Sequence, residues 1–213
     1  MARPKSYDRT EAVRAVRDAF WEHGYGALSI SAIEERTGLG RFAIRTEFGG
    51  KEGLFLEALA DYAADAETYM FAPLRENGTL DGIVALLRSV VTPFEGSPRR
   101  FGCLMVNTSI ENASARMPSL RKRTDRHWQR LGDAFHIVLS AERKRGALRD
   151  DIEIDDAVQF LVGTVIGALV VNRNAGIIDA AEGQIRMAID TVNRWRSEVS
   201  WPDKGKEAPS RVP

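Results

Sequence analysis

The chain has 213 residues, and its 30 Lys+Arg are balanced by 30 Asp+Glu, giving a formal charge of zero. Hydrophobic residues at 44% and charged residues at 28% match ordinary globular composition, which excludes a disordered or fibrous chain. At this length one or two domains are expected, and a uniformly basic coat for nucleic acid is excluded, although a local basic surface is not.

A single cysteine, Cys103, leaves no disulfide framework or multi-cysteine zinc site within one chain and suits a reducing cytosol. Met1-Ala2-Arg3-Pro4-Lys5-Ser6 has no apolar run behind its basic residues, so no secretory signal is expected. The longest apolar stretch, Ala157 to Val171, is interrupted by Gln159 and Thr164 and falls short of the roughly 20 residues a bilayer requires. A soluble, cytoplasmic protein is the expectation.

In chain order, Asp8 and Glu11 have capping-box spacing, and Ala12, Val13, Val16, Ala19 and Phe20 recur at helical intervals up to a stop at Gly24. Ser29 is placed to cap a short helix carrying Ile30 and Ile33. A turn at Gly38-Leu39-Gly40 then leads to a second short helix over 41–47, closed by Phe48-Gly49-Gly50. From Lys51 a longer helix places Leu54, Phe55, Ala58, Leu59 and Tyr62 on one stripe, as far as about Tyr69. Further helices are expected at about 79–92, 102–113, 118–145, 155–173 and 180–200, with a break at Pro93–Pro98 and a tail over 201–213. The sum is an all-α protein of about nine helices, with no alternating strand pattern.

Charge is distributed in opposed blocks: residues 1–51 carry 9 basic and 7 acidic side chains, whereas residues 99–149 carry 12 and 4. The informative stretch is 24–55. Two short helices around a glycine-containing turn have the form of a helix-turn-helix. Ile30, Ile33, Leu39, Ile44 and Phe48 are the expected anchors onto the first helix. That leaves Arg41, Phe42, Arg45 and Thr46 on the outward side of a helix that fits a major groove, where an arginine can reach guanine O6/N7. Ordinary helix packing is the other reading of such a pair. Arg3, Lys5 and Arg9 read either as an arm along a phosphate backbone or as a solvated tail.

The Gly24-Tyr25 and Ser29-Ile30 opening, Ile33, Gly38, the turn, and Phe48-Gly49-x-Lys51-Glu52-x-Leu54-Phe55 together resemble the TetR family of transcriptional regulators. The resemblance implies a DNA-binding head at 1–51, an effector-binding and dimerisation body at 52–200, and a dimer formed mainly by the last two helices. It implies phosphate contacts from Ser29 and from Lys51, which opens the fourth helix, and a base contact from Ser31. Arg41, Phe42, Ala43, Arg45 and Thr46 take the recognition helix. Arg45-Thr46 stands where the family commonly has Tyr-His or Tyr-Trp, Phe42 replaces a small residue or proline, and Glu47 is unexpected beside phosphate. The operator sequence is therefore not inherited from relatives.

In the body, Cys103, Asn107 and Glu111 recur every four residues on one helix face among apolar neighbours, a pattern open to a ligand pocket or to junction bonds. Phe94, Trp128, Phe135 and Phe160 are candidates for pocket lining or for core. Arg121, Lys122, Arg123, Arg126 and Arg130 form either an anion site or a solvated face. Gly163 and Gly167, with Ile185, Ala188, Ile189 and Val192, suit a helical dimer interface, the alternative being monomer core. An enzyme finds little support. His127 and His136 fall on nearly opposite faces of one helix, and Gly24-x-Gly26 lacks the strand a dinucleotide loop requires. A helical protein-interaction adaptor is the other rival. The expectation is a homodimeric regulator, a repressor that binds a (pseudo)palindromic operator and is released by a small-molecule effector, with no cofactor, no metal and no membrane.

Overall fold

The computed structural model describes residues 7–92 and 102–197. The Arg3 and Lys5 end of the arm, the Pro93–Pro98 break, Phe94 and the 201–213 tail lie outside those residues. Local signals start the helices. The Asp8 carboxylate accepts the Glu11 N–H at 2.8 Å ahead of α1 (Arg9–His23), and the Ser29 hydroxyl accepts the Ala32 N–H at 3.1 Å ahead of α2 (Ile30–Thr37). Such caps contribute about 1 kcal/mol each. After α3 (Arg41–Glu47), a continuous rod runs through α4 (Lys51–Ala66), a π turn (Glu67–Phe71) and α5 (Ala72–Asn77). The helix expected to end near Tyr69 thus reaches Asn77. Pro73 in the first turn of α5 has no N–H to donate, and the widened π turn ahead of it accommodates that loss. The rest are α6 (Leu80–Val91), α7 (Leu104–Ala115), α8 (Pro118–Lys144), α9 (Ile154–Ala175) and α10 (Glu182–Arg194). Ten α-helices are present among the described residues, and nine if the α4–α5 rod is one. Apart from an isolated Leu148–Arg196 bridge, no extended pairing accompanies them among the described residues.

Two apolar cores form. One gathers Val16, Phe20, Ile33, Leu39, Ile44 and Phe48 with Leu54, Phe55, Ala58 and Leu59 of α4, and continues into Cys103–Val106 and Leu120. Leu28, only 3% exposed, takes the anchoring place expected for Ile30, which is 39% exposed. The other core, built on Phe71, Leu80, Ile83, Leu87, Phe135, Val138 and Leu161, joins α5, α6, α8, α9 and α10. Trp128 and Leu169 pack against both. A head and a body are therefore not separated by a polar seam: α4 serves both.

Buried polar side chains tie the body helices end to end. Asn172 donates to the Val90 carbonyl at 3.2 Å and accepts the Ala181 N–H at 2.9 Å, and Glu142 accepts the Leu80 N–H at 3.2 Å where α6 starts. An anion at a helix N-terminus meets unpaired N–H groups there.

Candidate nucleic-acid interface and body cavity

The turn between α2 and α3 presents α3 to solvent. Ile44 is fully buried and fixes the helix, while Arg41, Arg45 and Thr46 are exposed and Phe42 is 77% exposed. An apolar ring left in water on a helix of this kind is a contact surface awaiting a partner. Ala43 is half-buried against the head core. Arg41 is held by Glu34, through its backbone N–H at 3.3 Å and its Nε at 3.2 Å, and the Thr46 hydroxyl donates back to the Phe42 carbonyl at 2.8 Å. Ser29 and Ser31 are exposed at the start of α2. Because the Ser29 hydroxyl accepts its capping bond, its own proton remains to donate outward.

Lys51, at the start of α4, rests over the Tyr25 ring at 4.4 Å. Burial pulls its pKa below the ordinary lysine value, and the Glu111 carboxylate counters that shift. Glu47 is accounted for by its partners: its carboxylate accepts the Tyr7 hydroxyl at 2.8 Å and lies 3.5 Å from Arg9, whose guanidinium also covers the Phe48 ring at 4.1 Å. A carboxylate engaged in this way does not face a phosphate unpaired. The described end of the expected arm, Arg9, is thus part of the head's own packing.

At the junction of the two cores lies a cavity of about 430 Å³. Its wall draws Trp21 and Arg17 from α1, Tyr62 and Asp65 from α4, Tyr69 and Phe71 from the π turn, Cys103 from the start of α7, and His127 and Trp128 from α8. Arg17 bonds Asp61 and Asp65 at 2.7 Å each and Asp18 at 3.0 Å. Burial works against its charge, but the carboxylates outweigh that and its pKa rises. The Trp21 indole donates to the Gly102 carbonyl at 3.1 Å, and the Tyr62 hydroxyl donates to the Cys103 sulfur at 3.2 Å. His127 is 6% exposed, and its Nδ1 is buried with no hydrogen-bond partner. Burial, with Arg130 nearby, pushes its pKa down to about 4, so the ring is neutral at pH 7.

Of the pocket residues expected from the sequence, Cys103 and Trp128 line this cavity. Phe135 is fully buried in the body core, and Phe160 is 41% exposed, edge-on to Trp195 at 5.9 Å. Asn107 is half-buried and does not line the cavity. Glu111 faces the head instead: it accepts the Tyr25 N–H at 2.9 Å and the Gly26 N–H at 3.2 Å, tying α7 to the α1–α2 turn. Sequence reasoning missed His127, Arg17 and the π-turn aromatics as wall residues. Periodicity marks only that such residues are on a helix, not which of two cores they separate. The basic run of α8 is largely a solvated face, with Arg121 ion-paired to Asp125 at 3.6 Å.

The expected dimer residues divide. Ile185 and Val192 are buried in the monomer's own core at 2% and 0% exposure, and Ile189 packs against it, so none of the three is a free contact surface. The apolar stripe of α10 is satisfied by α6 and α9 of the same chain. Gly167 sits under Gln184, 3.1 Å from where a Cβ would be, whereas Gly163 is open. The unpartnered apolar face consists of Phe160, Val170 and Val171, which share the Gly163 side of α9, together with Met187 of α10. α9 is a 22-residue helix of mean hydropathy 1.8, so it exceeds the apolar stretch read from the sequence and by length alone could span a bilayer. Its packing on α6, α8 and α10 makes it an element of the body.

Comparisons with known proteins agree with this arrangement. Residues 13–58 match the model of bacterial regulatory proteins of the tetR family, and residues 79–188 match the tetracyclin repressor-like C-terminal domain. The HTH-type transcriptional repressor AcnR of Corynebacterium glutamicum is 28% identical over 186 residues, covering 84% of this chain and 92% of the relative. Among solved structures, a TetR-family regulator from Cytophaga hutchinsonii superposes with a TM-score of 0.78 at 17% identity, covering 89% of this chain and 95% of the other. A cysteine-substituted form of the regulator CifR, solved with 26-bp double-strand operator DNA, superposes with a TM-score of 0.74 at 25% identity, covering 94% and 100%.

Proposed function

From the premise that the chain belongs to the TetR family of transcriptional regulators, we propose that it is a homodimeric repressor that inserts α3 into the major groove of a (pseudo)palindromic operator and leaves it when a small molecule fills the cavity. As a member of that family it is a DNA-binding regulator of transcription. The observation that carries the reading is the outer face of α3, where Arg41, Phe42, Arg45 and Thr46 stand exposed on a helix anchored by Ile44. Arg45 is the base reader in this reading, Arg41 being shared with Glu34. Ser29, Ser31 and Lys51 flank α3 as backbone contacts, with Ala43 closing the helix against the head. Residues 1–51 form the head, 52–200 the body, and 201–213 the tail, with α4 common to head and body. The AcnR relative is a repressor, and CifR was solved on operator DNA, which supports the same role here. Such a protein works where its operator is, in the cytoplasm.

Release follows from the cavity wall. Arg17 and Trp21 belong to the helix that carries the head, and Tyr62 and Asp65 to the rod behind it. An occupant that displaces these side chains turns α1 and α4, and α3 moves with them. It must bind the released arrangement more tightly, because only differential affinity shifts the equilibrium.

Mobility shifts on the DNA upstream of its own gene, over a range of salt, test the reading. The expected result is sequence-dependent binding that weakens with salt. Arg45→Ala relaxes preference at one base position, whereas Lys51→Ala weakens binding to all sequences about equally. Binding indifferent to both sequence and salt would remove the regulator role.

A further inference from the structure

We propose that the cavity takes a neutral, flat aromatic compound bearing one hydroxyl group, and that the hydroxyl bonds the His127 imidazole. This rests on the effector reading of the cavity given above and names the chemistry of its occupant. The volume of about 430 Å³ is that of a small-molecule site, and its wall is mainly aromatic, with Trp21, Tyr62, Phe71 and Trp128 among its surfaces. Flat rings stack or meet edge-on with such side chains. Among the polar groups of the wall, Arg17 already bonds three carboxylates, and Asp65 is one of those. His127 differs from them. It is buried, and its Nδ1 makes no bond, a state that costs free energy until something satisfies it.

Charge decides among ligand classes. An anion needs a cation in the wall, but the imidazole is neutral at pH 7 and Arg17 is matched by carboxylates. A cation needs an unspent carboxylate, but Asp65 is held by Arg17, and Arg130 adds positive potential beside His127. A charge left unpaired in so apolar a space is far costlier than a neutral polar group. A hydroxyl serves either imidazole tautomer, since it both donates and accepts.

The probes are 4-phenylphenol, biphenyl, biphenyl-4-carboxylate and phenyltrimethylammonium, titrated into the full chain while following the fluorescence of its tryptophans. We expect 4-phenylphenol to bind about tenfold more tightly than biphenyl, the value of one net hydrogen bond, and the two ions to bind more weakly still. His127→Leu brings 4-phenylphenol down to the biphenyl level, and His127→Asn, which keeps a hydrogen-bonding group, restores part of the preference. Tighter binding of either ion, no binding of any probe, or a phenol preference untouched in His127→Leu would overturn the proposal. Thermal unfolding of each variant separates loss of the bond from loss of the fold. Operator binding without probes is measured in parallel. Its presence with no phenol binding sinks only the ligand class, and phenol binding without operator binding sinks only the regulator reading.

Discussion

Glu47 and Glu111 are acidic residues near the DNA-facing elements, and each is spent on an internal bond: Glu47 on Tyr7 and Arg9, Glu111 on the Tyr25 and Gly26 N–H groups. Gly24 makes the second arrangement possible. It has a φ of 83°, and a Cβ there would lie 2.1 Å from the Glu111 carboxylate oxygen. Gly24→Ala therefore combines backbone strain with eviction of Glu111. The expected loss is about 1–3 kcal/mol, read from denaturant unfolding, with operator binding weakened as the head loses its tether. His127 gives a pH dependence of defined sign. Its pKa is about 4 in the fold against an ordinary 6.5, so above pH 6.5 both folded and unfolded chains hold it neutral and it contributes nothing. As pH falls from 6.5 to 4 the unfolded chain takes the proton first, and stability drops by about 3 kcal/mol from this residue. Comparing the pH dependence of unfolding in the wild type and His127→Asn isolates that loss, because other groups titrate equally in both.

At the scale of elements, the joint between α3 and α4 sets where the reading helix points. Gly53, in the first turn of α4, lies so close to the Phe48 carbonyl that a Cβ would stand 1.8 Å from its oxygen. Backbone cannot yield as a side-chain tip can. Gly53→Ala is expected to push α3 off α4, costing about 1–3 kcal/mol in unfolding and weakening operator binding out of proportion to that loss in a mobility shift. The π turn belongs to the same scale. Inserted between α4 and α5, it brings Tyr69, Met70 and Phe71 to the cavity, and extra residues of this kind recur at functional positions in helices.

At the scale of the whole molecule, the two cores meet at one cavity, and the outer face of α9 remains uncovered in a single chain. A second copy seated there, with Phe160, Val170 and Val171 meeting their counterparts across a two-fold axis, would bury the apolar surface and set two α3 helices for two half-sites. Val171→Glu is expected to give a folded monomer in sedimentation with weakened operator affinity. Ile185→Glu, placed inside the monomer core, unfolds the chain instead. A folded Ile185→Glu monomer would return that residue to the interface.

The all-helical class, the helix-turn-helix and most boundaries of the head were legible in residue order, because capping, periodicity and turn glycines act over a few positions. Zero net charge likewise excluded a DNA coat, and the head, with 9 basic and 7 acidic residues over 1–51, relies on where Arg45 and Lys51 sit rather than on bulk charge. What only the tertiary structure decided was which neighbour each apolar stripe meets. The Ile185–Val192 stripe reads equally well as interface or core until α6 is seen to cover it, and Glu111 reads as a pocket group until the α1–α2 turn is seen above it. The cavity, its neutral histidine and the uncovered face of α9 arise from contacts between segments far apart in the chain, and periodicity within one helix carries no record of them.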